Sequence, residues 1–115
     1  MNYIGIPGIK ESYRAELAPV ITPDKIINTV CDHFSMNEQQ LKGSCRDKEL
    51  VHARHLIFYF LRKYTSISLK RAGQLFNRDH TTVIHGLDKL SDLMDTEPEV
   101  KAEVEMLGSM IKGDC

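Results

Sequence analysis

Apolar residues recur at helical spacing along most of this chain, and the breaks between the stretches carry residues that start or stop helices. Ile26, Ile27, Val30, Cys31 and Phe34 fall three and four apart behind Thr22-Pro23, which predicts a helix to about Ser35, with Thr22 as cap and Pro23 at its first position. Asn37 is placed to cap a short helix ending near Gly43. Leu50, Val51, Ala53, Leu56, Ile57, Phe58, Tyr59, Phe60 and Leu61 predict a long helix from about Glu49 to Tyr64. Its second half is apolar almost all round, the pattern of a helix at the centre of a bundle. Ser66 or Ser68 caps a short helix through Leu69, Ala72, Leu75 and Phe76, and a tight turn at Asn77 leads to a helix from Asp79 to about Met94. Thr96-Glu97-Pro98-Glu99 reads as a capping box opening a last helix, which carries Val100, Val104, Leu107 and Ile111 to Gly113. No stretch alternates as a strand does. The fold class is all-α, a small helical bundle with a helix-turn-helix at about 68–94.

Residues 1–21 hold Gly5, Pro7, Gly8 and Pro19 without periodicity. They are expected to form an irregular N-terminal arm, and residues 22–115 the helical domain. With 115 residues there is room for one core. The longest apolar run, Leu56 to Leu61, is far short of the roughly 18 residues of a membrane span. No basic-then-apolar leader opens the chain. A cytoplasmic protein that does not engage a membrane is expected. Cys31, Cys45 and Cys115 are odd in number and widely spaced, which argues against a disulfide framework.

Charge sharpens the picture. The net charge is −1, yet Lys42 to Lys89 holds ten Lys and Arg against four acids, a local +6. Residues 1–41 carry −2 and residues 90–115 carry −5. A basic middle between acidic ends is suited to a polyanion, because local field outweighs total charge.

The basic middle contains the run Asn77-Arg78-Asp79-His80-Thr81-Thr82-Val83-Ile84-His85. Asp79 can cap the helix, so the polar cluster projects from its N-terminal end. Helix-turn-helix proteins reach base edges in the major groove from that place. Arg suits guanine, a Thr hydroxyl or methyl suits several edges, and Asp79 can also accept from a cytosine amino group. Gly73 lies where the short helix can approach a neighbour closely.

Ala53-Arg54-His55-Leu56, Ser68-Leu69, Ala72-Gly73, Phe76 and Arg78-Asp79-His80-Thr81-Thr82-Val83 together resemble the C-terminal DNA-binding domain of the bacterial chromosomal replication initiator DnaA. Arg-Asp-His-Thr-Thr-Val is that family's signature. The resemblance covers about four fifths of the chain, with nothing in residues 1–21 contributing. It implies sequence-specific binding of the double-stranded DnaA box, linked to replication initiation or its regulation. Base contacts then fall to Arg78, Asp79, His80, Thr81 and Thr82 in the major groove and to Arg46 in the minor groove. Phosphate contacts fall to Lys48, Arg54, His55, Arg62 and Lys89. Three departures bear on the target sequence. Only Asn77 separates Phe76 from Arg78 where the family has two small residues; Asp47 and Glu49 interrupt the basic loop; and Lys70 stands where the family often has Pro.

Other chemistry is poorly supported. Gly108 and Gly113 are the only glycines at phosphate-loop separation, and Asp114-Cys115 follows them rather than Lys-Ser or Lys-Thr. No nucleotide, cofactor or ATPase activity is expected. The chain then reads as an isolated domain or a small stand-alone relative, Met1 and the arm favouring the second. His52 and His55 could share a helix face, but no paired Cys-x-x-Cys accompanies them, so no metal site is expected. No nucleophile–base motif points to an enzyme. The rival reading is a protein-interaction or transcription-regulator module on the same scaffold with DnaA-box binding lost. Its protein partner would dock on the N-terminal arm or the acidic last helix.

Overall fold

The helices form where the capping residues direct. The computed structural model describes residues 21–43 and 47–113, and in these six helices follow one another: α1 (Pro23–Phe34), α2 (Glu38–Lys42), α3 (Lys48–Tyr64), α4 (Leu69–Gln74), α5 (His80–Thr96) and α6 (Pro98–Lys112). Thr22 Oγ1 accepts from Lys25 N at 3.2 Å. Asn37 and Gln40 form a reciprocal capping box at 2.9 and 2.8 Å. Asp47 Oδ1 accepts from Glu49 N, and Ser68 Oγ from Arg71 N. These bonds satisfy N–H groups that a helix start leaves unpaired.

Two boundaries differ from the expectation: α4 stops at Gln74, before Leu75 and Phe76, and the last helix opens without the expected cap. Thr96 does not cap the last helix; it ends α5, where its hydroxyl donates to Asp92 O at 2.9 Å. Glu97 stands between the two helices and makes no side-chain cap. Pro98 enforces the break, since it has no N–H and disfavours helical backbone in the residue before it.

The central helix is α3, which packs against α1, α2, α4 and α5, while α6 closes the bundle against α1 and α5. Seven of its nine apolar residues are buried; Val51 and Tyr59 are partly so. Phe58 meets Phe76 edge-on at 5.9 Å, which anchors the segment between α4 and α5 to the core. Cys31 is buried, as its place in the apolar pattern implies. Among the described residues no helix is long and apolar enough to cross a membrane. Apart from Ile21, which packs on the core, the expected arm lies outside the described residues. So do Cys45, Arg46 and Cys115.

Candidate nucleic-acid interface

Backbone hydrogen bonds close the turn between α4 and α5. Phe76 N and Arg78 N both donate to Gly73 O, at 3.0 and 2.8 Å. Asn77 takes the left-handed conformation with φ 59°, which Asn tolerates better than most residues. The single residue between Phe76 and Arg78 is therefore sufficient to turn the chain. Gly73 is required: a Cβ there would lie 2.5 Å from Arg78 O. The close approach expected of Gly73 is thus onto the backbone that opens α5.

The polar end of α5 is exposed. Asp79 Oδ1 accepts from Thr82 N at 2.9 Å and from Thr82 Oγ1 at 3.0 Å. The backbone bond first, and the hydroxyl bond with it, hold the Asp79 carboxyl below its usual range. Asp79 is therefore ionised at neutral pH and remains an acceptor. Thr82 donates its hydroxyl proton to this cap, leaving its lone pairs and methyl for a ligand. His80 and Thr81 point to solvent. Ile84, one turn on from His80, is 38% exposed. Its periodicity allowed a core role, and only its distance from His80 along one face hinted otherwise. An apolar group at such a place suits a thymine methyl.

Arg78 is placed differently from the expectation of a base contact. Its Nη1 donates to Phe76 O and its Nη2 to Gly43 O, both at 2.7 Å. Asn77 Nδ2 also donates, to Lys42 O at 3.3 Å. A guanidinium committed to two carbonyls is a staple. It ties the end of α2, and with it the start of the basic loop, to the turn before α5.

Of the five residues expected at phosphates, Lys48, His55 and Lys89 come together along one groove between α3 and α5, shared with Val51, His52 and Leu93. Arg54 does not join them. It is 5% exposed and donates from Nη1 to Leu41 O at 3.1 Å; the cation faces inward because that carbonyl, past the last hydrogen bonds of α2, needs a donor. Arg62 is exposed in the last turn of α3, away from that groove. His55 packs against α5 so closely that a Cβ on Gly86 would lie 2.5 Å from its ring. Burial, then the charges of His52, Lys89 and Arg54, lower its pKa to about 4. It is neutral at pH 7 and offers one N–H rather than a charge.

Sequence reasoning missed a second polar cluster. Glu103 of α6 accepts from His33 Nε2 at 2.9 Å and from His52 Nε2 at 2.8 Å, joining α1, α3 and α6. Burial raises the Glu103 carboxyl, but these two bonds outweigh it and the net shift is downward. The acidic face of α6 is thus more than a solvated surface. With partners 51 and 70 residues away, no local pattern signals it.

Comparison with known proteins decides the family. Residues 23–90 match the family described as bacterial dnaA protein helix-turn-helix. The chain belongs to that family. Similar relatives are chromosomal replication initiator proteins DnaA. That of Thermus thermophilus is 42% identical over 86 residues, 74% of this chain. That of Oenococcus oeni is 39% identical over 97% of the chain, and that of Gloeobacter violaceus 34% over 96%. This likeness to DnaA extends into residues 1–21, further than the signature residues alone indicated. The chain spans about a quarter of the length of these relatives, 20–26%.

Proposed function

We propose that this chain binds double-stranded DNA carrying the DnaA box, in the service of replication initiation or its regulation. The carrying observation is the exposed end of α5, where Asp79, His80, Thr81 and Thr82 project from a turn held rigid by Gly73 and stapled by Arg78. A pre-set turn presents these groups to the major groove with little ordering cost on binding. The groove of Lys48, His55 and Lys89 between α3 and α5 supplies phosphate contacts, and Arg62, exposed in the last turn of α3, adds one outside it. The minor-groove contact is assigned to Arg46 by the family resemblance alone. Binding is non-covalent and needs no nucleotide, metal or cofactor. Arg78 and Arg54 act indirectly, by holding backbone.

Fluorescence anisotropy with a box-bearing and a scrambled duplex at two salt concentrations tests this. The expected result is a preference for the box that persists at the higher salt, on top of a salt-dependent common affinity. Equal binding of both duplexes overturns box specificity. A second reading, a protein-docking module, draws on Met106 and Met110, which α6 exposes one turn apart at 44% and 47%. It gains if neither duplex binds.

A further inference from the structure

A groove of about 420 Å³ opens beside the start of α5, lined by Lys70, Gln74, Asn77, Arg78, Asp79 and His80. We propose that Lys70, on the first helix of the helix-turn-helix, reads a guanine in the major groove from the groove it shares with Asp79, and so sets a base preference of this chain that the α5 signature does not encode. The inference rests on the duplex-binding reading above.

Lys70 and Gln74 are four apart on α4 and share one face. Both line the groove, together with Asp79 and His80 of the α5 start. The Arg78 guanidinium at the base is committed to Phe76 O and Gly43 O. Lys70, exposed and on a flexible stem, is therefore the cation in this groove able to move onto a ligand.

The charge across the groove selects what that ligand is. Asp79 is ionised and exposed, so a phosphate entering here meets a carboxylate. A G·C pair meets complementary partners instead: the cytosine amino group donates to a carboxylate, and guanine O6 and N7 accept from an ammonium. An ammonium and a carboxylate lining one groove match both edges of one pair or of two neighbouring ones. A Pro at position 70 could make only apolar contact, so this departure from the family pattern changes what the groove recognises.

The test is selection of binding sites from a pool of random duplexes by the wild-type chain, Lys70→Met and Lys101→Met. Anisotropy on the selected site and its single-pair variants follows. Met keeps the stem and removes the ammonium; Lys101, on α6, controls for loss of one charge. Lys70→Met is expected to select the same site with the preference for one G·C pair lost, about tenfold in affinity, and with an unchanged salt slope. Lys101→Met is expected to select as wild type does. Identical selection by wild type and Lys70→Met overturns the assignment and leaves the duplex-binding reading intact. So does uniform weakening with a salt slope lower by about one, the mark of a phosphate contact. If the wild-type chain selects no sequence, both readings fall. Lys70→Gln repeats the comparison should Lys70→Met melt early.

Discussion

Two polar clusters at opposite kinds of place show how this domain divides its side chains. At the start of α5 the cap and the turn are local, Thr82 bonding Asp79 three residues back and Arg78 N bonding Gly73 O, and only Asn77 and the Arg78 side chain reach farther, to Lys42 O and Gly43 O. His80 and Thr81 are left facing solvent. Across α1, α3 and α6 the bonds are distant, and both Glu103 oxygens are engaged by His33 and His52. The first cluster shapes a surface while leaving groups for a ligand. The second consumes its groups to hold helices together. The difference lies in what is left over: Asp79 and Thr82 spend one carboxylate oxygen and one hydroxyl proton on their cap, whereas Glu103 spends both oxygens.

The hardest way to break this division is at Gly73. Gly73→Ala sets a Cβ against Arg78 O, backbone rather than a flexible side chain, and is expected to cost about 3 kcal/mol. Chemical denaturation would show the loss, and box binding should fall even where the variant remains folded. A smaller Tm change than that of an ordinary surface substitution would mean that the turn is not rigid.

Acid probes the joint between α3 and α5. Unfolded, His55 takes a proton near pH 6.5; folded, only near pH 4. Protonation therefore favours the unfolded chain, so the stability is full above about pH 6.5 and declines toward pH 4. The decline attributable to His55 is about 2–3 kcal/mol. Comparing the pH dependence of unfolding for wild type and His55→Gln isolates it; parallel profiles would rule the burial argument out.

Arg78 sharpens the comparison, because it belongs to the recognition end yet makes only internal bonds. Arg78→Ala leaves Phe76 O and Gly43 O without their donor and is expected to cost about 1–2 kcal/mol of stability. Arg78→Lys should recover little, since an ammonium lacks the planar fork that spans two carbonyls. A base-contacting Arg78 would give the opposite pattern, a normal melt with relaxed specificity, in paired unfolding and anisotropy measurements.

The smallest effect belongs to the distant cluster. Glu103→Ala should destabilise by about 1 kcal/mol at neutral pH, with box affinity unchanged. The folded carboxyl titrates below its unfolded value, so its contribution is present above the ordinary carboxylate range and lost as pH falls through the lowered pKa. Wild-type and Glu103→Ala melting curves should converge in acid. A loss of box binding by this variant at pH 7 would mean that the two clusters are coupled.

Much of the fold was open to inspection in the chain, and the reason is range. The caps at Thr22, Asn37, Ser68 and Asp79 bond N–H groups three residues on, so residue type and spacing suffice to place them. The α3 core follows from periodicity in the same way. Thr96 shows the limit of such reasoning: its hydroxyl had two backbone partners within reach, and the pattern could not choose between them. The exposed end of α5 was equally plain, since polar residues that follow a cap occupy the first turn, ahead of the apolar positions that pack on the core. What packing alone settled concerns long side chains. Arg54 and Arg78, expected at DNA, donate to carbonyls here, to Leu41 O 13 residues away and to Gly43 O 35 residues away. The pairing of Glu103 with His33 and His52 was hidden for the same cause. A local hydrogen bond is set by covalent geometry, whereas a flexible cation or imidazole goes to whichever unsatisfied group the folded chain brings within its reach.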